Sequence, residues 1–525
     1  MAARARASSA AACSATSRAA SPSARAPDAR CWVMSAFRRF GFALILPLAA
    51  GLLVAAGGEE PIPWPHGDAP SSLELDEAIG AAIELAARER VEEFLEAAEK
   101  GEDREHIFAL QTNIDLGAYD LERLFAFGDA LFAHEFRGED GFGDRPLPGL
   151  SRVHSGVRGG LDTYSCAGCH SVGGPDGAGA PTQNAFLLGD GDRASSANQR
   201  NAPHVLGLGF VQALGAEMSS DLGQTRGAAL AKAAETGTDV TVSLESKGVS
   251  FGSLTAHPDG SLDTSAVVGV DRDLLVKPFG WKGDIARLRR FTEDAARIHF
   301  GVQSHVLALQ WQVEPDVPRL GAGPNWWDPD NDGVQREIEE GILTATAVYM
   351  AMLETPVILP PHDPALRTRW SNGMAVFEEA GCASCHSPEL PLMNVRWDEW
   401  PDTTGGPPVE LNLMRDGDQP RGTSLVRLYS DLKRHDMGEG LADPHDGAGD
   451  VPRSVFLTRP LWGLAETAPY LHDGRAATIP EAIDAHGGEA TAARDAFRAL
   501  DPEDRKDLHV FLLSLTREPK VHVLQ

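Results

Sequence analysis

The sequence predicts a mainly α-helical protein with two related domains, an N-terminal helical extension and a small β insertion. Three observations carry this. Apolar residues recur at three- and four-residue spacing over residues 72–100, and residues 120–136, 284–297 and about 335–353 also read as helix. Alternation is confined to one stretch, where Val240, Val242 and Leu244 interleave with Thr241, Ser243 and Glu245 ahead of the turn signal Pro258-Asp259-Gly260. Two pentads of one pattern, Cys166-Ala-Gly-Cys169-His170 and Cys382-Ala-Ser-Cys385-His386, stand 216 residues apart, which indicates two related domains and not a short-period solenoid.

The chain has 525 residues, room for about three domains. Lys plus Arg number 47 and Asp plus Glu 76, a net charge of −29, which excludes a nucleic-acid binder, because phosphate contacts need a basic surface. Residues 1–56 read as a leader: Arg38-Arg39, an apolar run from Phe40 to Gly57, and the small residues Val54-Ala55-Ala56 describe a secretory signal peptide cleaved after Ala56. An uncleaved membrane anchor is the alternative, and Met34 is a second candidate start. A helical N-terminal extension is expected over residues 57–150. A first domain with the β insertion is expected over 151–355, and a second over 356–525, after the linker marked by Thr355-Pro356 and Pro360-Pro361. Phe125, Phe132 and Phe136 fall on roughly one side of the 120–136 helix and are expected in its core. Residues 171–203, rich in Gly, Ala, Asp and Asn, read as loop.

The pentads carry the chemistry. Two thiols three residues apart on a tight turn can each form a thioether to one vinyl group of a porphyrin. The next residue, His, then points its imidazole at the iron. The pattern predicts two covalently bound c-type haems, one on Cys166, Cys169 and His170 and one on Cys382, Cys385 and His386, in two cytochrome c-like haem domains. Zinc is the main alternative, but these pairs lie over 200 residues apart and each runs directly into His. Such haem is attached outside the cytoplasm, which agrees with export. What occupies each iron's sixth position then decides between electron transfer and small-molecule chemistry.

A calcium loop is also expected. Asp328, Asp330, Asp332, the Val334 carbonyl and Glu339 fit D-x-D-x-D-G-x5-E, with Gly333 at the sharp turn. The competing reading is an acidic helix N-terminus stabilised by its dipole.

Several segments resemble a known family. Arg459-Pro-Leu-Trp-Gly-Leu-Ala-Glu-Thr-Ala-Pro-Tyr-Leu-His472-Asp473-Gly474-Arg475, with Ile479-Pro-Glu-Ala-Ile-Asp-Ala-His486-Gly-Gly-Glu, is similar to the C-terminal domain of bacterial di-haem cytochrome c peroxidases. It is closer still to the di-haem oxidoreductase family, which includes proteins described as thiol oxidoreductases. The stretches from Tyr429 to Met437 and from Lys277 to Trp281 also resemble that family.

The resemblance implies several residue roles. His486 takes the sixth position of the second haem, where the peroxidases usually have Met; Met437 competes for that place, and a surface His is the plain alternative. His472 bonds a haem propionate or backbone. Trp281 matches the tryptophan lying between the two haems, with a plain core Trp as the alternative. His299 stands where the peroxidases carry a catalytic Glu, so it is either the acid/base or a ligand that closes the first iron. His204, after Arg200-Asn201-Ala202-Pro203, is a second candidate for that iron.

The implied function is an exported, peroxidase-like di-haem oxidoreductase that passes electrons from the C-terminal haem to a reactive N-terminal haem. Its oxidant would be peroxide and its donor a small cytochrome or cupredoxin. No nucleic acid is expected as a partner, and a membrane only if the leader stays uncleaved. A non-catalytic electron carrier and a haem-dependent oxygenase are the alternatives.

Overall fold

The structure is a computed structural model that describes residues 109–141, 153–154, 157–158, 163–170, 185–187, 194–304, 306, 334, 337–413, 424–447 and 450–517. All of these belong to the second of two compact units, Ala82–Gln525. The leader, the 72–100 helix and the carboxylates Asp328, Asp330 and Asp332 lie outside the described residues.

Helices dominate, as expected, and the sheets among the described residues have two or three strands. Helix α1 (Leu121–Ala133) starts at Asp120, whose side chain accepts from the Arg123 amide and satisfies one of the first-turn donors. Its Leu124, Phe127, Leu131 and Phe132 are buried. The buried set is shifted from the expected one: Phe125 is only half-buried, and its ring lies 5.0 Å from Tyr349. Gly128 lets α1 cross closely over α4 (Glu340–Met352), because a Cβ there would strike the Ala345 carbonyl and the Tyr349 side chain.

Between these helices in sequence runs α2 (Leu208–Thr236), 29 residues long and bounded by Gly207 and Gly237, both with positive φ. It was not foreseen. Its first two turns are buried all round, and its later turns carry small and polar residues, so no single apolar stripe marks it. The β insertion follows as β1 (Val240–Ser246), β2 (Val249–Ala256) and β3 (Leu262–Asp263), paired antiparallel in sequence order. Lys247 (φ 53°) and Gly248 (φ 80°) make the two-residue turn between β1 and β2, a conformation matched to the strand twist. The expected loop 171–203 contains a short antiparallel pair, Ala185–Leu187 with Asn198–Arg200.

Helix α3 (Leu288–Ala295) continues into a π turn over Ala296–Phe300, closed by Gly301 at φ 72°. Two hydrophobic cores result. The larger joins α1, α2, the insertion and α4, and it also takes in Leu390, Leu392, Trp397, Leu428 and Trp462. The smaller lies between α5 (Pro364–Glu379) and α7 (Pro502–Leu512), with α6 (Ile479–Ala485) beside it through Ile479. Gly373 of α5 permits that contact, since a Cβ would meet the Asp507 carbonyl. Phe377 and Phe511 pack edge to face at 5.4 Å. Full burial of each such ring stabilises by about 1.5–3 kcal/mol, and Cys382 packs against this core. The second pentad is thus seated on a core of its own.

Candidate functional site

The second pentad leaves α5 through Gly381 (φ 82°) and forms one 3-10 turn over Cys382–Ser384, with the His386 amide donating to the Cys382 carbonyl. It faces a cavity of about 600 Å³ lined by Cys382, Cys385, His386, Met437, Trp281 and His486, among others. The ring centroids of His386 and His486 are 6.5 Å apart. One metal bound by two imidazoles at about 2 Å sets their centroids roughly 6 Å apart, so this pair fits around one iron. The outer nitrogens fit as well. His386 Nδ1 lies 3.1 Å from the Tyr429 carbonyl, and His486 Nδ1 lies 2.7 Å from the Ala482 carbonyl. Each bond makes Nδ1 the donor and leaves Nε2 as the unprotonated nitrogen, the tautomer that metal-bound histidines have. Burial, and then the His486 imidazole, hold His386 down to about 4, so it is neutral at pH 7. Burial lowers His486 too.

His486 caps the C-terminal end of α6, whose N-terminus is fixed by a reciprocal Thr478–Glu481 capping box. Met437, its competitor, lines the same cavity, and its carbonyl packs against Gly487.

The first pentad is one helical turn, Cys166–Cys169, capped by the Ser165 hydroxyl, which accepts from the Gly168 amide. Burial pushes Cys166 up to about 12 and holds His170 down to about 4. Among the described residues His170 makes no normal hydrogen bond through its buried Nδ1; the Pro203 carbonyl is the acceptor that acts on it, and the imidazole of His299 disfavours its charge. His299 is half-buried on the π turn after α3. His299 thus lies within electrostatic reach of His170. His204 is differently placed. Its Nε2 lies 3.0 Å from the Trp462 carbonyl and its Nδ1 accepts from the Leu206 amide at 3.2 Å, so both ring nitrogens are engaged within the fold.

The segment after the first pentad is laced to the C-terminal motif. Arg200 makes a bidentate pair with the buried Asp443, both bonds at 2.7 Å, and the Asn201 amide donates to the His472 carbonyl. Trp281 sits at this seam. Its indole N–H donates to the Asn201 carbonyl at 2.8 Å, and its ring meets His472 edge to face at 6.3 Å. His472 stacks on Phe456 at 4.3 Å and lies 3.6 Å from Asp443.

One further group was not foreseen. His435 lies between Asp431 (2.9 Å from Nε2) and Glu489 (2.8 Å from Nδ1), with Cys385 Sγ at 3.9 Å. Burial opposes its charge, but Asp431, Cys385 and Glu489 outweigh that and push it up to about 11. With both nitrogens protonated it is a fixed cation, although Cys385, Asp431 and His435 have the spacing of a metal cluster. Of the calcium set, Val334 and Glu339 are described, and Glu339 is the N-cap residue of α4.

The described residues thus hold two CxxCH turns, the second of them at a cavity that His486 and Trp281 also line. Residues 351–515, which include the second pentad, match the family model described as "Di-haem oxidoreductase, putative peroxidase". Among curated proteins, the chain is 30% identical over 198 residues to the cytochrome-c peroxidase IdrP1 of Denitromonas iodatirespirans, covering 34% of this chain and 50% of that one. It is 23% identical over 188 residues to the cytochrome c551 peroxidase of Pseudomonas aeruginosa, covering 35% and 45%. The chain thus spans about half the length of the curated relatives it matches. A solved MauG-like protein associated with microbial copper homeostasis covers 76% of this chain and 89% of its own, at 17% identity and a TM-score of 0.30, too low to carry an argument. Among the described residues no helix is long and apolar enough to cross a membrane.

Proposed function

We propose that the chain is an exported di-haem c-type oxidoreductase of the peroxidase type, acting on peroxide with electrons from a small external redox protein. The pairing of His386 with His486, each imidazole oriented by a backbone carbonyl at the cavity that Cys382 and Cys385 line, carries this reading. Haem bound there supplies one-electron chemistry. Cys382, Cys385 and His386 would hold the second group with His486 opposite, and Cys166, Cys169 and His170 the first. Trp281, fixed by its bond to Asn201 at the seam between the two regions, provides the path for electrons from second to first. His299, within electrostatic reach of His170, is assigned as the group that moves a proton to the leaving oxygen of peroxide, a task suited to an imidazole. The same reach favours a second reading, an electron carrier in which His299 binds the first iron. Calcium on Asp328, Asp330, Asp332, Val334 and Glu339 is part of the proposal.

A pyridine haemochrome assay will give two covalent haems per mature chain, and Cys166→Ala with Cys169→Ala will leave one. A count of one or none in the parent refutes the reading. His486→Met will raise the midpoint potential of one haem only, because a thioether favours ferrous iron relative to imidazole. An unchanged spectrum and potential would move the ligand elsewhere, with Met437 next to test.

A further inference from the structure

The cavity holds a positive charge that the assigned roles do not use. Arg459 lines it, half-buried, directly after the strand Val455–Leu457. Its guanidinium lies 5.5 Å from the centre of the Trp281 ring. It also disfavours charge on His170 and on His204, so it lies within electrostatic reach of the first pentad while lining the cavity at the second. The cavity's other basic groups are accounted for. Arg494 pairs with Asp495 at 2.9 Å and donates to the His486 carbonyl, and His435 is held by Asp431 and Glu489. Arg459 pairs with no carboxylate among the described residues. Burial pulls it down to about 10, with no acidic side chain acting against that.

An unpaired guanidinium inside a fold is costly unless an anion meets it, because a desolvated charge has lost its water and gained nothing in return. Arginine's planar fork matches a carboxylate with two parallel bonds. A haem carries two carboxylates on one edge. Resting on the two-haem reading above, we propose that Arg459 binds a propionate carboxylate of the haem held by the second pentad. Arg459 thereby anchors that edge of the group beside Trp281. A cation fixed there also favours the reduced, more electron-rich state of that haem.

The test is a spectroelectrochemical titration of the two-haem protein and its Arg459→Gln and Arg459→Lys variants, with haem counted in each. The haem whose midpoint responds to His486→Met identifies the second pentad. In Arg459→Gln that midpoint should fall, while the other stays put; Arg459→Lys, which keeps the charge but loses the fork, should lie between parent and Arg459→Gln. If Arg459→Gln does not accumulate, a fall confined to the same haem in Arg459→Lys supports the assignment. Unchanged midpoints, a shift confined to the first haem, or a fall in Arg459→Lys as large as in Arg459→Gln would overturn it. A parent without haem refutes the underlying two-haem reading, whereas two haems indifferent to Arg459 refute this assignment alone.

Discussion

Replacing His299 with alanine will cut peroxide turnover by about 10²–10⁴-fold, the usual contribution of a positioned acid/base. The first iron will keep its spin state. His299 is carried by the π turn that ends α3, and its imidazole reaches His170 electrostatically without belonging to the pentad. Such turns insert one residue into a helix and re-aim the side chains that follow, and they recur at functional sites. Electron paramagnetic resonance on parent and variant separates the two roles. If His299 were an iron ligand, a low-spin signal in the parent would turn high-spin in the variant and reactivity would appear. A parent with both irons low-spin in every redox state and inert to peroxide would establish the carrier instead.

Arg289→Met will destabilise the protein by about 3–5 kcal/mol, the cost of stranding a buried charge. Arg289 is 2% exposed and Glu399 is fully buried, with Arg289 Nε 2.6 Å from the Glu399 carboxylate. Arg289 also donates to the Thr344 hydroxyl, which ties α3 to α4. Glu399 already has one oxygen without a hydrogen-bond partner among the described residues, and burial raises its pKa. Removing the guanidinium leaves little to offset that burial. Denaturant midpoints of the haem-loaded protein measure the loss, and adding Glu399→Gln should recover much of it. A loss below about 1 kcal/mol would show that Arg287, 3.4 Å from the same carboxylate, suffices alone.

The second pentad, Trp281 and His486 stood out in the sequence as motifs at fixed spacing, and the structure brings Cys382, Cys385, His386, Trp281 and His486 to one cavity. The β insertion was legible through Val240, Val242 and Leu244, and the turn Lys247-Gly248 within it offered a signal that went unread. α2 was not legible: helix ends marked only by Gly207 and Gly237, and first two turns buried on every side, leave no periodic stripe. Nor were Arg459, His435 and the Arg289–Glu399 pair. Their meaning lies in partners, or in the lack of them, up to 110 positions away, and no local pattern encodes that. The calcium loop was legible as a motif, and its carboxylates fall outside the described residues.

The seam between Arg200–His204 and Asp443–His472 has a consequence for assembly. Its bonds join positions some 240 to 270 apart, so their closure is a late, entropically expensive event. The cavity wall also needs α6 and His486, a hundred residues downstream of His386. A chain folding from its N-terminus must therefore present both CxxCH turns before the cavity around the second can shut. On the proposed two-haem reading, long-range topology keeps an interval in which the thiols stay reachable for haem attachment, and substitutions that weaken the seam should prolong that interval rather than abolish loading.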